Sequence, residues 1–87
     1  MENTRRFLQA LFKLQRMQLN VKRGYTLDIY VTNQDYGRVI TAWLHAAGRG
    51  DCRLIAHLEC WEKYIDEGES KLAEFERIVN RAFNQNN

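Results

Sequence analysis

Four side chains have the chemistry to bind a metal or attack an electrophile: His45, Cys52, His57 and Cys60. Structural zinc sites present tight ligand pairs, such as two cysteines two residues apart on a turn. Here only His57 and Cys60 lie three apart, Cys52 falls at a loop, and His45 falls on the polar side of another segment. The spacing fits core-edge cysteines and surface histidines, so neither metal nor cofactor is expected. A cysteine nucleophile needs a neighbouring base, and no local signature couples either thiol to either histidine. Glu59, Glu62, Asp66 and Glu67 could supply paired carboxylates. They fall on the outer side of a predicted helix, where charge runs are solvated. One small core leaves little room for a formed pocket, and no enzymatic activity is expected.

The binding signals are broader. Arg49-Gly50-Asp51 matches the integrin-binding tripeptide, but Gly48 to Asp51 reads more simply as a turn ending in a helix cap. Arg5, Arg6, Lys13 and Arg16 share one side of a predicted first helix with no acidic residue among them, and Lys22 and Arg23 extend the patch. Such a face can follow phosphates, meet an anionic membrane surface or dock an acidic partner. It can equally be a solubilising face paired with Glu74 and Glu76. A helix-turn-helix over 36–66 fits in outline. Its recognition helix, however, would turn Glu59, Glu62 and Asp66 towards phosphates, against Arg53 and Lys63.

Composition sets the frame for these residues. The 87 residues form one domain, 1–87, with 84–87 read as a frayed tail. An apolar share of 45% and a charged share of 28% argue against disorder of the whole chain. The net charge of +2 divides into +4 over residues 1–43 and −2 over 44–87, a weaker excess than dedicated nucleic-acid binders carry. Gln9, Lys13 and Arg16 break the early apolar residues, unlike an export leader. No uncharged run reaches membrane-span length. The expected location is cytoplasmic, with both cysteines free. On a helix they would stand about 12 Å apart, too far to bridge.

The elements follow from periodicity. Phe7, Leu8, Ala10, Leu11, Leu14 and Met17 fill one side of a helix running from an Asn3 or Thr4 cap to about Gln18. Alternation over 19–32 predicts a β-hairpin turning at Lys22-Arg23-Gly24, with Val21 opposite Tyr25 and Leu19 opposite Leu27. Residues 36–47 are rich in strand formers. As a strand, however, they leave both faces apolar, whereas a helix gathers Tyr36, Val39, Ile40, Trp43, Leu44 and Ala47 on one side. The helix is therefore preferred.

Leu54, Leu58, Trp61, Ile65, Leu72, Phe75, Val79 and Ala82 then recur in steps of three and four, interrupted only at Gly68. They predict one rod about 48 Å long or two helices bent at Gly68, the second running to about Phe83. The expected fold is α+β and mostly helical: an N-terminal helix, a β-hairpin, then two to three helices. The alternative is a four-stranded antiparallel meander flanked by N- and C-terminal helices, with 38–46 and 52–61 as strands.

The leading functional expectation is a small non-enzymatic protein-interaction module, accessory or inhibitory in role, that forms a homodimer or docks on a larger protein. Leu58, Trp61, Ile65, Leu72, Phe75 and Trp43 are its candidate interface. The alternative is a nucleic-acid-binding accessory protein using Arg5, Arg6, Lys13, Arg16, Lys22 and Arg23.

Overall fold

The computed structural model describes residues 2–48 and 50–84. Its order is α1 (Glu2–Leu19), β1 (Tyr25–Gln34), β2 (Gly37–Ala47), β3 (Cys52–Trp61) and α2 (Ile65–Asn84). The strands form one antiparallel sheet in the order β1-β2-β3.

Helix α1 forms because Phe7, Ala10 and Leu14 recur at helical spacing and are buried together. It ends at Leu19, where the Asn20 side-chain amide donates to the Arg16 carbonyl at 2.8 Å. Gly24 takes the left-handed backbone expected of it, φ 93°. The turn it closes links α1 to β1, though, and does not join two strands. Residues 19–22 belong to no strand of the sheet, and the Lys22 carbonyl accepts from the Tyr25 N–H at 3.1 Å to close the turn.

The true partner of β1 is β2, in unbroken register from Tyr25 opposite Ala46 to Gln34 opposite Gly37. The hairpin turns at Asp35-Tyr36, and Gly37 supplies φ 119°. Strand β3 pairs with β2 from Val39 opposite Trp61 to Ala47 opposite Cys52, with a bulge near Leu44 and His45.

Both helices pack on one face of the sheet. Phe7 and Leu14 of α1, with Ile65, Leu72, Phe75 and Val79 of α2, bury against Leu27, Ile40, Ala42, Leu44, Ala56, Leu58 and Cys60. The layer is closest where α2 crosses β3. A Cβ on Gly68 would stand 2.5 Å from the Cys60 sulfur, so glycine sets the spacing of helix and strand.

The mostly helical outline is overturned, and so is its four-stranded alternative: the described residues form two helices and three strands. Of the expected helix 36–47, Tyr36 lies in the hairpin turn and 37–47 are a strand, with Val39 and Trp43 on one face of β2 and Ile40, Ala42 and Leu44 on the other. Both faces are apolar, which is why alternation alone missed it. The long stripe is also broken. Leu54, Leu58 and Trp61 belong to β3, and only Ile65 onward is helical. The helix-turn-helix and the rod fall with it. Asn84 closes α2, whereas the rest of the expected tail, 85–87, and Arg49 of the tripeptide lie outside the described residues.

Candidate interaction surface

No helix or strand among the described residues packs on the second face of the sheet. The register assigns its side chains: Asp28, Tyr30 and Thr32 from β1, Val39, Thr41 and Trp43 from β2, His57, Glu59 and Trp61 from β3. Across its middle runs an aromatic row. The Tyr30 ring meets Trp43 edge-on with centroids 5.6 Å apart, and Trp43 lies 5.1 Å from the His57 ring at 33°. Cross-strand pairs of this kind contribute roughly 0.2–1 kcal/mol each, a bias towards the stacked arrangement. Beside the row, the Trp61 indole N–H donates to Glu59 Oε1 at 2.7 Å. Val39 is only 1% exposed, screened by its cross-strand neighbours Thr32 and Trp61. Asp28 and Glu59 are the charged members of this face, and none of its strand positions carries lysine or arginine.

The basic residues of α1 and of the turn after it lie on the helix side of the molecule, and half of them are engaged. Arg6 forks across to α2, with Nε 3.0 Å from Glu69 Oε2 and Nη2 2.5 Å from both Glu69 Oε1 and Asp66 Oδ1. These hydrogen bonds, first from Glu69 and then from Asp66, raise the Arg6 pKa, and the same contact holds the Glu69 carboxyl below its ordinary range. Lys13 meets Glu76 at 3.1 Å, and the Lys22 ammonium donates to the Phe83 carbonyl at 3.0 Å. Arg5, Arg16 and Arg23 carry no ion pair among the described residues. At the end of the sheet nearest the start of α1, Arg38 grips Glu62 through two bonds of 3.0 and 2.6 Å. That grip is the main reason the Glu62 carboxyl also lies below its usual range.

The expected site residues therefore separate. Leu58, Ile65, Leu72 and Phe75 are buried in the chain's own core, while Trp43 and Trp61 stand on the open face. His57 and Cys60 point to opposite sides of β3: His57 joins the aromatic row, and Cys60 is buried beneath α2, where desolvation raises its thiol pKa. Cys52 is exposed and free at the far end of the same strand, and Cys60 is also free. Among the described residues no group of three or more His, Cys, Asp or Glu side chains is placed to hold a metal. The carboxylates considered for acid–base work are engaged elsewhere, Glu59 with Trp61, Glu62 with Arg38 and Asp66 with Arg6, while Glu67 lies 4.0 Å from the Lys71 ammonium.

Tyr30 and His57 are the members that sequence reasoning missed. Their signal was present as the alternation Val39, Thr41, Trp43, but it becomes legible only once 37–47 is read as a strand.

No helix among the described residues is long and apolar enough to cross a membrane. Comparison with family models, curated proteins and solved structures gave no match, so the functional reading rests on geometry.

Proposed function

We propose that this chain is a non-enzymatic protein-interaction module that docks a larger protein on the open face of its sheet. The observation that carries the reading is the aromatic row Tyr30, Trp43 and His57 on a face that no other element among the described residues covers. Rigid aromatic side chains lose little conformational entropy when covered and make strong anchors. Asp28 and Glu59 beside the row select a partner surface that sets arginine or lysine around an apolar patch. The same two carboxylates disfavour a phosphate backbone. Of the basic residues that would serve nucleic acid, Arg6, Lys13 and Lys22 are engaged by Asp66, Glu69, Glu76 and the end of α2, which leaves Arg5, Arg16 and Arg23 for a phosphate backbone.

A photoreactive amino acid at Thr41, in the centre of the face, tests this in the native host. A matched probe at Arg77, on the exposed side of α2, serves as control. A discrete protein adduct from Thr41 and not from Arg77 is expected. In the complex so identified, Trp43→Ala should weaken affinity by about 2 kcal/mol or more, roughly thirtyfold. Adducts to nucleic acid, or none from Thr41, overturn the reading.

A further inference from the structure

We infer that a second copy of this chain pairs along the free edge of β1, joining two sheets into one of six strands. The backbone pattern identifies which groups are available. The Ala47 N–H donates to the Gly24 carbonyl at 2.8 Å, which makes Gly24 and Ala47 a hydrogen-bonded pair. In an antiparallel ladder such pairs alternate. Thr26, Asp28, Tyr30 and Thr32 therefore bond to β2, and Leu27, Ile29, Val31 and Asn33 turn their backbone groups outward. A second bond agrees: the Leu27 carbonyl is taken by the Gln18 side-chain amide at 2.8 Å. The backbone groups of Ile29, Val31 and Asn33 have no partner among the described residues.

This edge is self-complementary. An antiparallel copy centred on Val31 sets Ile29 opposite the partner's Asn33, Val31 opposite the partner's Val31, and Asn33 opposite the partner's Ile29. All six outward groups of each strand then find partners in one ladder. No like charges meet, because residues 29–34 (Ile-Tyr-Val-Thr-Asn-Gln) carry no charge. They also contain no proline or bulge, two usual guards of an exposed edge.

The helix layer supplies matching apolar surface. Val31 is 51% exposed, and Leu8 and Phe12 of α1 are 42% and 61% exposed. These two lie four residues apart on the flank of α1 away from its ion pairs with α2. From the Gln18–Leu27 bond, Val31 lies about 13 Å along β1, equivalent to about nine residues of antiparallel helix. That sets it between Leu8 and Phe12. Two-fold pairing at Val31 therefore brings the Leu8 and Phe12 flanks of both copies together over the new strand pair.

Sedimentation of the full chain across micromolar concentrations tests the inference, with Val31→Pro as the decisive variant. Its N–H points out of the ladder, so proline is tolerated by the monomer and blocks the edge. Wild type should rise from 10.4 kDa to twice that mass with concentration, and Val31→Pro should stay at the monomer mass. Phe12→Lys should raise the dissociation constant at least tenfold, without touching the backbone edge. Amide exchange at 29, 31 and 33 should slow with wild-type concentration. A wild type that stays monomeric at a few hundred micromolar, or a dimer whose 29, 31 and 33 amides remain unprotected, overturns it. The open-face reading fails separately, because Trp43→Ala leaves this mass shift intact.

Discussion

The two outer strands of the sheet face solvent along their edges in different ways. Strand β3 is broken near one end by a bulge, and at the other the Trp61 carbonyl is closed off by the Tyr64 N–H at 3.1 Å. Just past that end the Glu62 N–H bonds the Arg38 carbonyl at 3.0 Å, so by alternation His57 and Glu59 turn their backbone outward. A histidine and a carboxylate thus occupy the short free stretch. Strand β1 pairs without interruption over ten residues and offers Ile29 and Val31 at the corresponding positions. One edge is short and charged; the other is long and apolar. The difference teaches where a small sheet protects itself and where it leaves room for another chain.

The sharpest break of this comparison is Tyr30→Pro. Tyr30 bonds inward to β2, so proline there removes a ladder hydrogen bond in the sheet. The variant should lose cooperative unfolding by circular dichroism, in contrast to its neighbour Val31→Pro. A folded Tyr30→Pro would mean that the ladder alternates in the other phase.

Gly68→Ala probes the protected side, where α2 lies against β3. Its methyl group would meet the Cys60 sulfur, and overpacking of this kind costs about 1–3 kcal/mol. Thermal melting should fall by about 4–8 °C per kcal/mol, and adding Cys60→Ala should restore part of the loss.

Acid should act on the ion pairs that tie the helices and strands together. Glu62 and Glu69 have folded pKa values below their unfolded ones. Their contribution is therefore complete above the ordinary glutamate range, roughly pH 4.3, and is lost as pH falls through the lowered folded values. Denaturant titrations between pH 7 and 3 should show this decline, and Arg6→Met should flatten the part that belongs to Glu69.

Glu59→Gln should have the smallest effect. It keeps an acceptor for the Trp61 indole and changes stability by less than about 0.5 kcal/mol. It also removes the charge from the short free stretch of β3. Species heavier than the dimer at high concentration would show that this charge is the guard. An unchanged mass would assign the guarding to the bulge and the turn.

Much of β1 was legible in the sequence. Leu27, Ile29 and Val31 alternate with polar neighbours, because one face of that strand is buried and the other is mixed. Helix α1 was equally plain, since Phe7, Ala10 and Leu14 repeat at helical spacing over a charged opposite side. Strand β2 was hidden because its uncovered face carries Val39 and Trp43, so apolar residues occur in both phases and satisfy a helix as well as a strand. Strand β3 was hidden differently. Its buried positions are Ala56, Leu58 and Cys60, two of them small, while the larger Leu54, Leu58 and Trp61 fall at helical intervals. The aromatic row inherits this difficulty, for Tyr30, Trp43 and His57 lie on three strands of which the preferred reading recognised only one. Of the residues proposed for docking, Trp43 alone was expected at an interface, on aromatic character and not on position, while His57 and Glu59 were weighed only for metal or acid–base chemistry.

Closing Cys60 under Gly68 has a practical consequence for reagents. Its sulfur is desolvated and its thiol pKa is raised, so little of it is the thiolate that maleimides and disulfide probes attack. Cys52 is exposed at the other end of β3, remote from the aromatic row and on the strand opposite the apolar edge. The wild-type chain therefore carries a single accessible attachment point for a fluorophore or spin label. A label there can report on partner binding without a cysteine being added or removed.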